Sequence, residues 1–222
     1  MTETGIKELP YSSLKPDEIE KKSFEIISSE LDRMGIIFDD DTAPVIKRAI
    51  HTTADFDYAH NLCFSDNAVT LMKEAICEGA CIVTDTQMAR AGINKKRLME
   101  YGGEVLCFMS DADIAQRSKQ TGRTRAALSM DKAAGLDRDM IFAIGNAPTA
   151  LIRLYELVTE GIISPKGIIA VPVGFVNVVE AKELILELPC PYIVARGRKG
   201  GSNVAAAIVN ALLYSIGILR KS

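Results

Sequence analysis

Residues 140–161 read MIFAIGNAPTALIRLYELVTEG, and the two halves of this stretch follow different periods. Met140 to Ile144 is apolar at every position and has no polar face to turn toward water. That is the pattern of a strand covered on both sides, as in a parallel sheet. Beyond the glycine turn at Gly145, Pro148 suits the first turn of a helix, and Leu151, Ile152, Leu154, Tyr155 and Val158 recur on one face before Gly161. Asn146 is the expected cap of that helix. The stretch predicts a buried strand turning directly into an amphipathic helix, the building unit of α/β folds.

Reading outward, four more runs share the apolar signature: Ala80 to Thr84 (ACIVT), Glu104 to Met109 (EVLCFM), Gly167 to Val173 (GIIAVPV) and Tyr192 to Ala195 (YIVA). Helical spacing fills the intervals. A first helix opens at Pro16, Asp17 and Glu18 and carries Ile19, Ile26, Ile27, Leu31 and Met34 before Gly35. A second opens around Asp41 to Pro44, with Val45, Ile46, Ala49 and Ile50 as its apolar stripe. Ser65 or Asp66 caps a third that ends at Gly79, and the last follows Ser202, where Ala205 to Ala207 allow close packing on a sheet. The expected fold is α/β: a three-layer α/β/α arrangement with a mostly parallel five-stranded sheet and an N-terminal helical layer. No linker or charge run separates the first 79 residues from the rest, so one domain over residues 1–222 is expected.

Composition narrows the function. Among 222 residues 48% are hydrophobic and 25% charged, with a net charge of −3, which excludes an intrinsically disordered chain. No apolar run approaches the roughly 18 residues of a membrane helix, so no membrane partner is expected. The start, MTETGIKELP, lacks a basic segment followed by an apolar one, and the expected location is the cytoplasm. Five cysteines without a Cys-x-x-Cys pair read as reduced core residues. With only His51 and His60 as histidines, no metal site of the protein's own is expected. The small net charge, and basic residues not interleaved with aromatics, argue against a nucleic-acid partner.

Open parallel sheets bind ligands at the carboxyl ends of their strands. Those ends carry Thr84-Asp85-Thr86, Ser110-Asp111, Gly145 to Thr149, Pro172 to Phe175 and Arg196 to Ser202. The turn at Gly145, Asn146 and Thr149 is either an anion site at a helix start or simply a well-made turn. The stretch Arg196-Gly197-Arg198-Lys199-Gly200-Gly201-Ser202 sets three cations beside three glycines, a stronger anion candidate, its alternative being a solvated basic loop. Gly122-Arg123-Thr124-Arg125 is a further basic turn. None of these matches a dinucleotide or P-loop fingerprint, and no G-x-S-x-G elbow is present. On the second helix Arg48 and His51 share a flank bordering the apolar stripe, where an imidazole either exchanges a proton with a ligand or serves structure. Ser23, on an otherwise apolar helix face, either bonds back to its own helix or points at a ligand.

Taken together, AIHTTADFDY from Ala49, Phe64-Ser65, Thr84-Asp85, Thr124-Arg125, IGNAPTAL from Ile144, VPVGFV from Val171 with Glu180-Ala181-Lys182, and RGRKGGS from Arg196 resemble the precorrin-8X methylmutase family, in order and over nearly the whole chain. The resemblance implies a flavodoxin-like homodimer with its active site near the subunit interface. It implies an isomerase of cobalamin biosynthesis that moves a methyl group from C-11 to C-12 of a tetrapyrrole corrin precursor. No methyl donor or cofactor is implied, and any cobalt belongs to the substrate. The catalytic histidine of the family corresponds to His51, and substrate-binding positions match Ser23, Arg48 and Arg125. Thr124, Gly145, Asn146, Thr149, Arg196, Arg198, Gly200, Gly201 and Ser202 complete the expected binding set. Asn177 and Val178 depart from the small residues usual after the Gly-Phe-Val motif, and Thr52 to Asp57 looks more like the cobalt-early branch. The alternatives are a non-catalytic module that carries a tetrapyrrole or other polycarboxylate, and a flavodoxin-like nucleotide binder.

Overall fold

A computed structural model describes residues 15–216. The chain divides into two compact units, residues 1–38 and 39–222. The described part of the first is built on α1 (Pro16–Arg33), which opens with Pro16 in its first turn and with the Glu18 carboxylate accepting from the Lys15 N–H.

The second unit holds a six-stranded sheet in the order β1-β6-β5-β4-β2-β3. Its strands are β1 (Leu62–Phe64), β2 (Cys81–Thr84), β3 (Val105–Leu106), β4 (Met140–Ile144), β5 (Gly167–Ala170) and β6 (Tyr192–Ala195). The five parallel strands, β2 to β6, are those expected from their unbroken apolarity. Their order, β3-β2-β4-β5-β6, is the flavodoxin-like 2-1-3-4-5 arrangement, with its switch point between β2 and β4. The expectation of five strands is corrected to six by β1, an antiparallel edge strand pairing Leu62 with Ala195 and Phe64 with Ile193. Three residues are too few to show a period, and only pairing with β6, 130 residues later in the chain, makes them a strand.

Alternation within each strand sorts its residues between two helical layers. Cys81, Val83, Phe142, Ile144, Ile168, Ala170 and Val194 share one buried cluster with residues of α8 (Arg125–Ala134), α9 (Pro148–Thr159) and α10 (Val178–Ile185). The intervening Ile82, Ile141, Ala143, Ile169 and Ile193 are fully buried toward the other face. There α11 (Ser202–Ser215) packs on β4 and β5, α4 (Ala68–Cys77) on β5 and α5 (Gln87–Gly92) on β2, while α2 (Ala43–Thr53) lies across α11. The buried stripe of α2 is Val45, Ile46, Ala49 and Ile50, as its periodicity predicts. The short α3 (Tyr58–Asn61) and α6 (Lys95–Met99), and α7 (Ala112–Thr121), complete the unit.

The antiparallel sense of β1 has a topological consequence. Its first residue, Leu62, lies opposite Ala195, the last residue of β6. Residues 54–61, which lead from α2 into β1, are therefore delivered to the carboxyl edge of the sheet, and α2 ends there.

Candidate active site

At the switch point β2 and β4 lead into helices on opposite sides of the sheet, and the first group between them is Asp85. Its side chain is fully buried. Oδ1 accepts from the Gly145 N–H at 2.9 Å, and Oδ2 accepts from Asn146 at 2.8 Å and Ala147 at 2.6 Å. Burial pushes the Asp85 pKa up, and the three amide donors oppose that rise. The anion expected at the start of α9 is thus the chain's own carboxylate, and the N–H groups of Gly145 and Asn146 are already engaged. The expected cap is corrected as well: Ala147, not Asn146, occupies the N-cap position, and no side chain of its own caps the helix. A buried carboxylate at this point also repels phosphate, which sets the site apart from nucleotide-binding members of the fold.

Gly145 is required by close approach. A Cβ there would lie 2.6 Å from Ser202 Cα and 2.8 Å from the Gly201 carbonyl. The Ser202 hydroxyl shares a 2.8 Å hydrogen bond with that of Thr86, so the turns after β2, β4 and β6 form one contiguous surface. Gly200, at φ +157°, packs so closely on the Val171 carbonyl that a Cβ has no room, and the Gly201 N–H donates to the same carbonyl at 2.8 Å. Gly200, Gly201 and Ser202 therefore shape the β6–α11 loop against the turn after β5.

Lys182, on α10, lies beneath that loop with its side chain fully buried. Its ammonium donates to the carbonyls of Gly197 and Lys199, both at 2.8 Å, and burial lowers its pKa to about 8. Three cations project from the loop. The Arg196 guanidinium is held in a two-point pair with Glu183, at 2.9 and 2.7 Å. Arg198 stacks on the exposed ring of Phe175 at 5.6 Å. Lys199 reaches Asp55 Oδ2 at 2.6 Å and Asp57 Oδ2 at 2.5 Å, and these bonds raise the ammonium pKa while holding the Asp55 carboxyl below the usual range.

Asp55 follows Ala54, whose left-handed φ of 54° ends α2. His51 is in the last turn of that helix, exposed, and so stands near the loop that Lys199 ties down. Arg48, one turn earlier on the same flank, is half-buried over the Tyr214 ring of α11 at 5.4 Å. The structure thus brings His51, Arg198 and the glycine-rich loop to the carboxyl edge of the sheet, whereas the Arg48 guanidinium lies over Tyr214, at the end of α11 remote from Ser202. Thr124 and Thr149 meet each other: the Thr124 hydroxyl donates to that of Thr149 at 2.9 Å and accepts from the Ala127 N–H as the cap of α8. Both line a cavity of about 260 Å³ with Gly122 and Arg153. Arg125, next in sequence, is exposed at the first position of α8. A larger cavity of about 420 Å³ opens by Asp139 and Met140, at the opposite edge from the strand-end loops. Ser23 belongs to α1 in the first unit, where its hydroxyl donates to the Ile19 carbonyl at 2.9 Å, the local bond that a helical serine favours.

Asp85, Asp55, Lys182 and Lys199 escape a reading of single residues. Each acquires its importance from a partner at least 15 positions away. The one available signal is an aspartate directly after a strand that is apolar up to its last residue, Thr84, and buried throughout.

These features define a class: a flavodoxin-ordered α/β protein that closes its own phosphate position and gathers arginines, an exposed aromatic ring and an imidazole at the strand ends, a surface suited to a flat, carboxylate-bearing molecule. Residues 18–215 match the family model described as precorrin-8X methylmutase, and the chain belongs to that family. Its members are isomerases of corrin biosynthesis, and so is this protein. The chain is similar to the cobalt-precorrin-8 methylmutase of Salmonella typhimurium, 44% identical over 91% of this chain and 96% of the relative. It is also similar to the cobalt-precorrin-8 methylmutase of Priestia megaterium, 42% identical over 90% and 88%. A crystal structure of precorrin-8X methylmutase from Thermus thermophilus superposes with a TM-score of 0.82, at 37% identity over 90% of this chain and 98% of that one.

Proposed function

We propose that the protein acts on cobalt-precorrin-8, moving the methyl group from C-11 to C-12 to give cobyrinate, with His51 as the proton donor and acceptor. The observation that supports this most directly is the placement of His51: an exposed imidazole on the last turn of α2, at the carboxyl edge where ligands of this fold bind. The C-11–methyl bond breaks as the C-12–methyl bond forms, so the reaction balances without a methyl donor or a change in oxidation level. His51 protonates the conjugated ring, lowers the barrier to migration and recovers the proton as the product forms. Peripheral carboxylates of the substrate are met by Arg48, Arg125 and Arg198, the last with Phe175 offering an apolar face to the ring. Arg196, held by Glu183, and the amides around Gly145, held by Asp85, set the shape of the site rather than contact the ring.

The choice of the cobalt-loaded substrate rests on the names of the Salmonella and Priestia relatives. The protein is read as acting as a homodimer, as the resemblance implies. Side-by-side assays with the cobalt-loaded and the metal-free ring test the choice. We expect kcat/KM to be at least about tenfold higher with cobalt, corresponding to about 1.4 kcal/mol of transition-state preference. Equal or reversed values overturn it.

A further inference from the structure

We propose that Lys199, with Lys182 beneath it, is a positioning residue for His51, a role that rests on the reading of His51 as the proton donor. Lys199 is one of the cations on the β6–α11 loop, and the loop's chemistry suggests a carboxylate clamp for the substrate. Its ammonium is already committed elsewhere, bridging Asp55 and Asp57. Those two aspartates lie just beyond the end of α2, and the segment is tight. The Ala54 N–H donates to the Ile50 carbonyl at 2.7 Å, the Asp55 N–H to the Thr53 hydroxyl at 3.3 Å, and the Asp57 N–H to Asp55 Oδ1 at 3.0 Å. Asp55 therefore joins the turn that ends α2 to Lys199 by its side chain and to Asp57 by its second oxygen. His51 lies within the final turn so fixed.

The other end of the linkage is Lys182. An ammonium fully removed from water must have partners, and two of them are the carbonyls of Gly197 and Lys199 itself. The backbone that carries the Lys199 side chain is held from below by a buried charge, while the side chain holds the end of α2 from above. Both lysines would act through position, since geometry at a reacting centre tolerates little displacement. A direct clamp on the substrate and a positioning role differ in what they change. A clamp lost from the ground and transition states alike raises KM, whereas a misplaced proton donor lowers kcat.

The decisive variant is Lys199→Ala, whose side chain is about half exposed, so the fold is retained. We expect kcat to fall about tenfold with KM changed less than twofold, and Lys199→Arg to restore most of the rate. The chain has only two histidines, so the His51 imidazole resonance in the substrate-free protein is identified by its absence in His51→Ala. In Lys199→Ala that resonance should shift or broaden. Lys182→Met should reproduce the loss in kcat; if that protein fails to fold, the Lys199→Ala result decides alone. An unchanged kcat, or a raised KM alone with an unmoved His51 resonance, overturns the proposal. Full activity in His51→Ala would instead overturn the role of His51 as proton donor, and the resonance would still report the linkage.

Discussion

Replacing His51 with alanine is expected to lower kcat by about 10²- to 10⁴-fold, the range that a positioned general acid contributes, and to leave KM within a few-fold of wild type. The residue lies outside the apolar packing of its helix. The packing of α2 on α11 runs through Val45, Ile46, Ala49 and Ile50, whereas His51 is exposed in the last turn. Single-turnover kinetics, with ring binding followed separately by absorbance, isolates the chemical step. A variant that binds the ring and turns it over at the wild-type rate removes His51 from the mechanism.

The largest effect on stability is expected at Asp85. Asparagine has nearly the same shape but one acceptor oxygen in place of two. The carboxylate now receives Gly145 on one oxygen and Asn146 with Ala147 on the other. In Asp85→Asn the amide NH₂ must face one of these sets, leaving at least one N–H group without an acceptor at a buried position. Such a group costs about 1–3 kcal/mol, and the loss of a charged acceptor adds to it, so we expect a destabilisation of about 2–4 kcal/mol. For a chain of this size that corresponds to a fall in Tm of roughly 5–15 °C. The turn at Gly145 rests on Ser202, and Ser202 on Thr86, so the loosening should spread to the β6–α11 loop. Thermal melts followed by circular dichroism measure it. A Tm within 2 °C of wild type would mean that the carboxylate is dispensable there.

Both predictions turn on where local reading stops. The five parallel strands were legible because burial on two faces leaves no polar alternation, a property carried within each short run. The apolar stripe of α2, and Arg48 and His51 on one flank of it, were legible from helical spacing alone. β1 was not, because Leu62-Cys63-Phe64 has no period and exists as a strand only through β6. That omission mattered for function, since β1 is what carries the end of α2 to the ligand-binding edge. Asn146 has the chemistry of a cap, yet the helix opens one residue later, with Ala147 at the N-cap and Pro148 first, and a carboxylate 60 residues away in sequence accepts from the N–H groups of the turn before it. Arg196 and Arg198 look equivalent in the sequence, yet among the described residues only Arg196 has an acidic partner, Glu183. Asn177, the departure from the family pattern, sits at φ 56° just before α10, a left-handed conformation that asparagine tolerates better than most residues. For β1 and for the turn before α9 the deciding partner is remote along the chain, and only the fold brings it near.

The most direct test follows the carbon that moves. Cobalt-precorrin-8 bearing ¹³C in its C-11 methyl group, incubated with the purified protein and nothing else, should yield a product of unchanged mass with all of the label on the C-12 methyl. Loss of label, a change in mass, or recovery of the substrate unaltered from a stable complex would contradict an intramolecular methyl shift catalysed by this chain.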